Sequence, residues 1–130
     1  MLLRTVPVEM VVDALRRRLQ GDDDTSGEAA CDELIRLLSP NNVDNKARCG
    51  AAGGVEVIVD MLTRRGAAKT LVVVVVEKAC TVLDLLTNAS ADNAARWRAA
   101  NGADVVCQIQ ERHENYPRIC ALCESILGRL

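Results

Sequence analysis

Phenylalanine is absent from the chain, and Trp97 and Tyr116 are its only large aromatic residues. A core without aromatic bulk must be built from Ala, Val, Leu, Ile and Cys, which dominate the 49% of hydrophobic positions. Side chains of that size fill space only when backbones approach closely, an arrangement that suits stacked helices. Basic residues are not in excess: 16 Lys and Arg stand against 18 Asp and Glu, a formal charge of −2. Neither nucleic acid nor an anionic membrane is therefore an expected partner. Long apolar runs are missing too. The stretch "LVVVVV" at 71–76 is too short to cross a bilayer before Glu77 and Lys78 interrupt it.

The opening "MLLRTVPVEM" has three apolar residues before Arg4, and Glu9 and Asp13 follow, so neither a secretory signal nor an acid-poor transit peptide is expected. The six cysteines (Cys31, Cys49, Cys80, Cys107, Cys120, Cys123) are then expected to be reduced thiols of a cytoplasmic protein rather than a disulfide framework. At 130 residues the chain fits one domain.

What the sequence does contain is repetition. "VEMVVDALRRR" (8–18) and "VEVIVDMLTRR" (55–65) are identical at seven of eleven positions. "DNKARCGAAGGVEVI" (44–58) aligns in turn with "DNAARWRAANGADVV" (92–106), which sets a period of about 48 residues. At the same shift Cys31, Leu34, Ile35 and Leu38 fall on Ala79, Val82, Leu83 and Leu86; a shift of 44 carries that stripe onto Cys123, Ile126, Leu127 and Leu130. The i, i+3, i+4, i+7 spacing is the buried stripe of an amphipathic helix.

Punctuation divides each unit. A short helix is expected to start after Asn42 and after Ser90, with Asp44 or Asp92 in its first turn, and to stop at Gly53 or Asn101, which tolerate a left-handed backbone. A second helix follows Gly54 or Gly102, with Val55, Ile58, Val59 and Leu62 or Val105, Val106 and Ile109 facing inward. The third helix of the first unit opens with a capping box from Thr25 to Glu28 and ends before Pro40, and that of the last unit has Pro117 in its first turn. "TLVVVVVEKACTVLDLL" (70–86) has the composition of a strand. Its stripe Ala79, Val82, Leu83, Leu86 nevertheless predicts a helix, with valines buried nearly all round. "RRR" (16–18) and "DDD" (22–24) read as a solvated helix end followed by an acidic loop.

A short helix, a glycine turn and two longer helices resemble the armadillo repeat. The residues that carry the resemblance are "NKARCGAAGGVEVIVDML" (45–62) and "EKACTVLDLLTN" (77–88). It covers nearly the whole chain as a partial unit (6–38) and two full units (42–88 and 90–130). A HEAT-type two-helix solenoid would lack the short helix expected over Asn42 to Ala52. The resemblance implies an all-α, right-handed αα-superhelix whose third helices line a concave groove for an extended partner segment. Importin-α-like members carry Trp and Asn on each third helix; here those positions hold Glu33, Thr81 and Ser125, and Leu37, Leu85 and Arg129. That ladder is absent, so reading of nuclear signals is not expected. The implied groove is lined by Glu33, Arg36, Leu37, Lys78, Thr81, Asp84, Leu85, Ser125 and Arg129, a mixture of charge and exposed leucine.

Other chemistry is sparse. Cys120 and Cys123 form one CxxC, half a zinc site or a redox pair in principle, but a zinc centre needs four ligands and His113 is the only histidine. At helical spacing both thiols face one side, Cys123 within the stripe, so core packing is the expected role of the pair. His113 reads as a helix-end surface residue, and no nucleophile elbow, P-loop, HExxH or calcium loop occurs. No enzyme activity, cofactor or metal is expected. Trp97 occupies the place of Cys49 in the preceding unit and reads as an inter-helix packing residue, with a partner anchor as the alternative. "NAS" (88–90) reads as a plain loop. A solenoid's ends also need polar caps or a neighbour, so the chain is expected to bind a protein or peptide segment and has scope to associate through its ends.

Overall fold

Two short helices open on the same device. In the computed structural model, which describes residues 6–20, 27–66 and 73–130, Asn42 accepts a hydrogen bond from the Asn45 amide at 2.9 Å. Ser90 accepts one from the Asn93 amide at 3.3 Å. These caps start α3 (Val43–Ala51) and α6 (Ala91–Ala99), as the spacing predicted. Both helices end in a left-handed residue, Gly53 at φ 90° and Asn101 at φ 62°, and α4 (Gly54–Gly66) and α7 (Gly102–Arg112) begin at once. The others are α1 (Val8–Arg18), α2 (Glu28–Leu38), α5 (Val73–Thr87) and α8 (Pro117–Leu127). The described residues form α-helices joined by short turns, with no strand among them, so the chain is all-α.

Helices equivalent by repeat pack on one another. The third helix of the middle unit, α5, lies between α2 and α8, which are equivalent to it; α4 contacts α1 and α7; α3 contacts α6. The described valines of the predicted helix are helical, against local propensity, because Val75 and Val76 are buried together with Ala79, Val82, Leu83 and Leu86. Val74 departs from the expectation of all-round burial: it is 55% exposed. Leu71, Val72, the Thr25 capping residue and the acidic run at 22–24 lie outside the described residues.

Close approach between units is built from glycine and asparagine. The Asn45 side-chain amide donates to the Leu37 carbonyl at 2.8 Å. Its equivalent, Asn93, donates to the Leu86 carbonyl and also to the Lys46 carbonyl, both at 3.0 Å, and is fully buried. Each short helix thus satisfies an orphan carbonyl at the end of the third helix before it. Gly50 makes room for this, because a Cβ there would stand 1.9 Å from Asn93 Oδ1. Lys46, 2% exposed, spans the same seam, with its ammonium donating to Asn41 Oδ1 and to the Asn88 carbonyl. Burial, then the nearby Arg129 charge, lowers its pKa, while Asp84 opposes the shift.

The arginine run is more than a wet helix end. Arg16 donates to the Ala52 carbonyl at 2.9 Å and so caps α3 from α1, while Arg17 pairs with Asp13 on its own helix. One unit on, Arg64 of α4 donates to the Leu19 carbonyl at 2.6 Å. Trp97 is fully buried, as a packing residue would be, against the start of α7. A Cβ on Gly102 would lie 2.0 Å from its Cδ1, and one on the equivalent Gly54 would lie 2.3 Å from Cys49 Sγ. Gly102→Ala is therefore predicted to lower stability by about 1–3 kcal/mol and to shift Trp97 emission. Denaturant unfolding followed by fluorescence checks this, and an unchanged midpoint would contradict the packing described.

An ion-pair ladder across the candidate binding face

The side-by-side placement of α2, α5 and α8 brings most of the expected groove residues onto one set of helices, and it also occupies many of them with each other. Lys78 on α5 reaches back to α2, donating to Glu28 Oε1 at 2.7 Å and to Asp32 Oδ2 at 3.0 Å. Arg118 on α8 pairs with Glu77 on α5. At the other end of the same two helices, Arg129 pairs with Asp84 and also bonds the Asp84 carbonyl at 3.2 Å and Thr87 Oγ1 at 3.3 Å. Ser125 adds a hydrogen bond to Asp84 Oδ1 at 2.9 Å, and Arg98 donates to the Arg129 carbonyl at 3.1 Å. In each rung a cation of the later unit meets a carboxylate of the earlier one.

The exposed leucine expected in the groove is corrected here, and the charges turn out to be paired. Leu37 is not an exposed leucine of the groove: it is 4% exposed and belongs to the core, because its place on α2 turns it toward the packed helices. Lys78, Asp84 and Arg129 do not stand free for a partner; their charges are matched across the helix gaps. Leu85 is half-buried and packs against the core edge. Glu33 and Arg36 form an intrahelical pair with the guanidinium exposed, Thr81 returns its hydroxyl to the Glu77 carbonyl at 2.8 Å, and Ser125 is exposed. Sequence reasoning missed Glu28, Asp32, Glu77 and Arg118. Their partners lie 41 to 50 positions away, so only the stacking of equivalent helices pairs them.

The pairs run from half-buried at Asp84 and Arg129 to largely exposed at Arg118, and surface pairs of this kind stabilise only modestly. Their larger effect is to hold side chains in place. Away from this face Glu9 is held below its ordinary value by hydrogen bonds from Arg48, which tie α1 to α3.

The thiols sort by burial. Cys31 and Cys49 are pushed up to about 12 by desolvation. Cys80 is fully buried, and interaction with the Cys123 thiol on α8, then desolvation, raises it well above the usual thiol range. The CxxC pair is split: Cys123 is in the core, whereas the half-buried Cys120 donates to the His113 carbonyl at 3.4 Å. His113 stacks obliquely near Tyr116, with ring centroids 5.9 Å apart, and its Nδ1 lies 3.0 Å from the Ile109 carbonyl. Among the described residues no three metal-ligating side chains cluster, and no helix is long and apolar enough to cross a membrane. Comparison of the chain with family models, curated proteins and solved structures finds no match.

Hydrogen bonds to Glu28 and Asp32 raise the Lys78 pKa above 10.5. Its pairing therefore stabilises the fold in full below that value and loses its effect as pH rises through the higher folded pKa. The unfolding midpoint of Lys78→Met is predicted to lie below wild type at neutral pH and to converge with it above pH 10.5. Parallel thermal unfolding across that range checks this, and a constant gap would show that Lys78 acts through packing alone.

Proposed function

We propose that the chain is a non-enzymatic protein-binding module, an adaptor or scaffold of armadillo type, working in a reducing, cytoplasmic setting. Its right-handed superhelix would present α2, α5 and α8 as a concave face to an extended polypeptide segment. The observation that carries this reading is the ladder. Rungs from Lys78, Arg118 and Arg129 pin three equivalent helices side by side, so a partner would meet a surface already ordered and little conformational entropy would be lost on docking.

The contacts left for a partner are the exposed Arg36 with Glu33, the half-buried Thr81 and Leu85 at the centre, and Ser125 on α8. Helices α2, α5 and α8, with Arg129, carry six carboxylates against four cations. A segment with net positive charge and one apolar side chain for the Thr81–Leu85 shelf is the complementary chemistry.

Selection of peptides from a displayed random library by the purified chain tests the reading. Enriched peptides are predicted to be basic and to bind the variant Glu33→Arg/Thr81→Arg, which turns the acidic face basic, at least about tenfold more weakly, roughly 1.4 kcal/mol, while its helical circular dichroism matches wild type. No enrichment, or equal affinity for the variant, would overturn the proposal.

A further inference from the structure

The α1–α2 hairpin has a second side, facing away from α4 and α5. There Met10 is 62% exposed and Val6 is 41% exposed. With Val11, Ala14, Ala29 and Ala30, and with Arg18 at its edge, they line a groove of about 290 Å³. Exposed methionine beside alanine carries little by itself, but the repeat says what the same surface does elsewhere in the chain.

Met10, Val11 and Ala14 correspond to Val57, Ile58 and Met61 in the middle unit and to Val105, Val106 and Ile109 in the last. Val57 is 7% exposed, Ile58 and Met61 are 0%, Val106 is 0% and Ile109 is 2%, while Val105 is half-buried. The cover in the middle unit is the preceding helical hairpin: Cys31 Sγ meets Met61 Sδ at 3.8 Å. In the two later units most of this surface is thus covered by the helical hairpin before it.

Two substitutions relative to the other units shape the open copy. Ala14 stands where they have Met61 and Ile109, which leaves a hollow. Met10 stands where they have Val57 and Val105, which raises a long, unbranched and adaptable side chain beside it. Ala30 replaces the position of Lys78, so this end lacks the lysine that forms the first rung of the inter-unit ladder. A hollow and a protrusion on one patch are what an isologous two-fold contact requires, since each copy then supplies both. The far end of the molecule does not match the hollow: Cys107, Gln108, Glu111, Glu124 and Ser125 are exposed there.

We propose that the α1–α2 groove pairs two copies of this chain about a two-fold axis, with Met10 of each seated over Ala14, Ala29 and Ala30 of the other. Sedimentation velocity of the full chain from low micromolar to near-millimolar concentration tests it. The mass is expected to rise from 14.1 kDa and to level at twice that value. Met10→Asp, which places charge on the protrusion, is expected to remain monomeric throughout. Ala14→Met, which fills the hollow with the residue the middle unit carries at Met61, is expected to do the same and decides the matter should the first variant fail to fold. A wild type that stays at 14.1 kDa, growth past the dimer without levelling, or unaltered dimers of the folded variants would each overturn the proposal.

Discussion

The seam between α3 and α6 sets the geometry of everything beyond it. Asn93 is fully buried there and donates both amide hydrogens, one to the Leu86 carbonyl and one to the Lys46 carbonyl. A buried amide left unpaired would cost about 1–3 kcal/mol, so the helices are held where both bonds can form. That position exists only because Gly50 has no side chain. The spacing so fixed sets how far α8 stands from α5, and with it whether Arg129 can reach Asp84 and Arg118 can reach Glu77. The ladder is therefore a consequence of the seam before it is a contributor to stability.

Much of this was legible in the residues. Asn42 and Ser90 as caps, Gly53 and Asn101 as left-handed stops and Pro117 at a helix start are local signals, each reporting the backbone within one turn of itself, and the 48-residue period is visible by aligning the units. The valine run was readable as helix once its stripe was matched with two others. Trp97 as a packing residue followed from its alignment with Cys49, and both are fully buried.

The candidate face was legible only in outline, because the angle of a helix about its own axis is set by its neighbours. Leu37 follows the groove register by counting, yet it turns into the core beside Leu38. Lys78, Asp84 and Arg129 were found as groove residues, but pairing between charges a whole unit apart has no signature in a single unit. Lys46 gave no signal at all: its equivalent is Ala94, and its burial depends on the Asn88 carbonyl arriving from the next loop. Arg16 likewise looks like any basic helix end until Ala52 is placed beside it.

The most direct test of the seam is a double-mutant cycle between Gly50→Ala and Asn93→Ala, read by denaturant unfolding. A methyl group at position 50 lies 1.9 Å from Asn93 Oδ1 in the native seam and has far more room once that amide is gone. The two changes together are predicted to cost about 1–3 kcal/mol less than the sum of their separate effects. Costs that add to within about 0.5 kcal/mol would mean the two residues do not meet, and the stacking described here would be wrong.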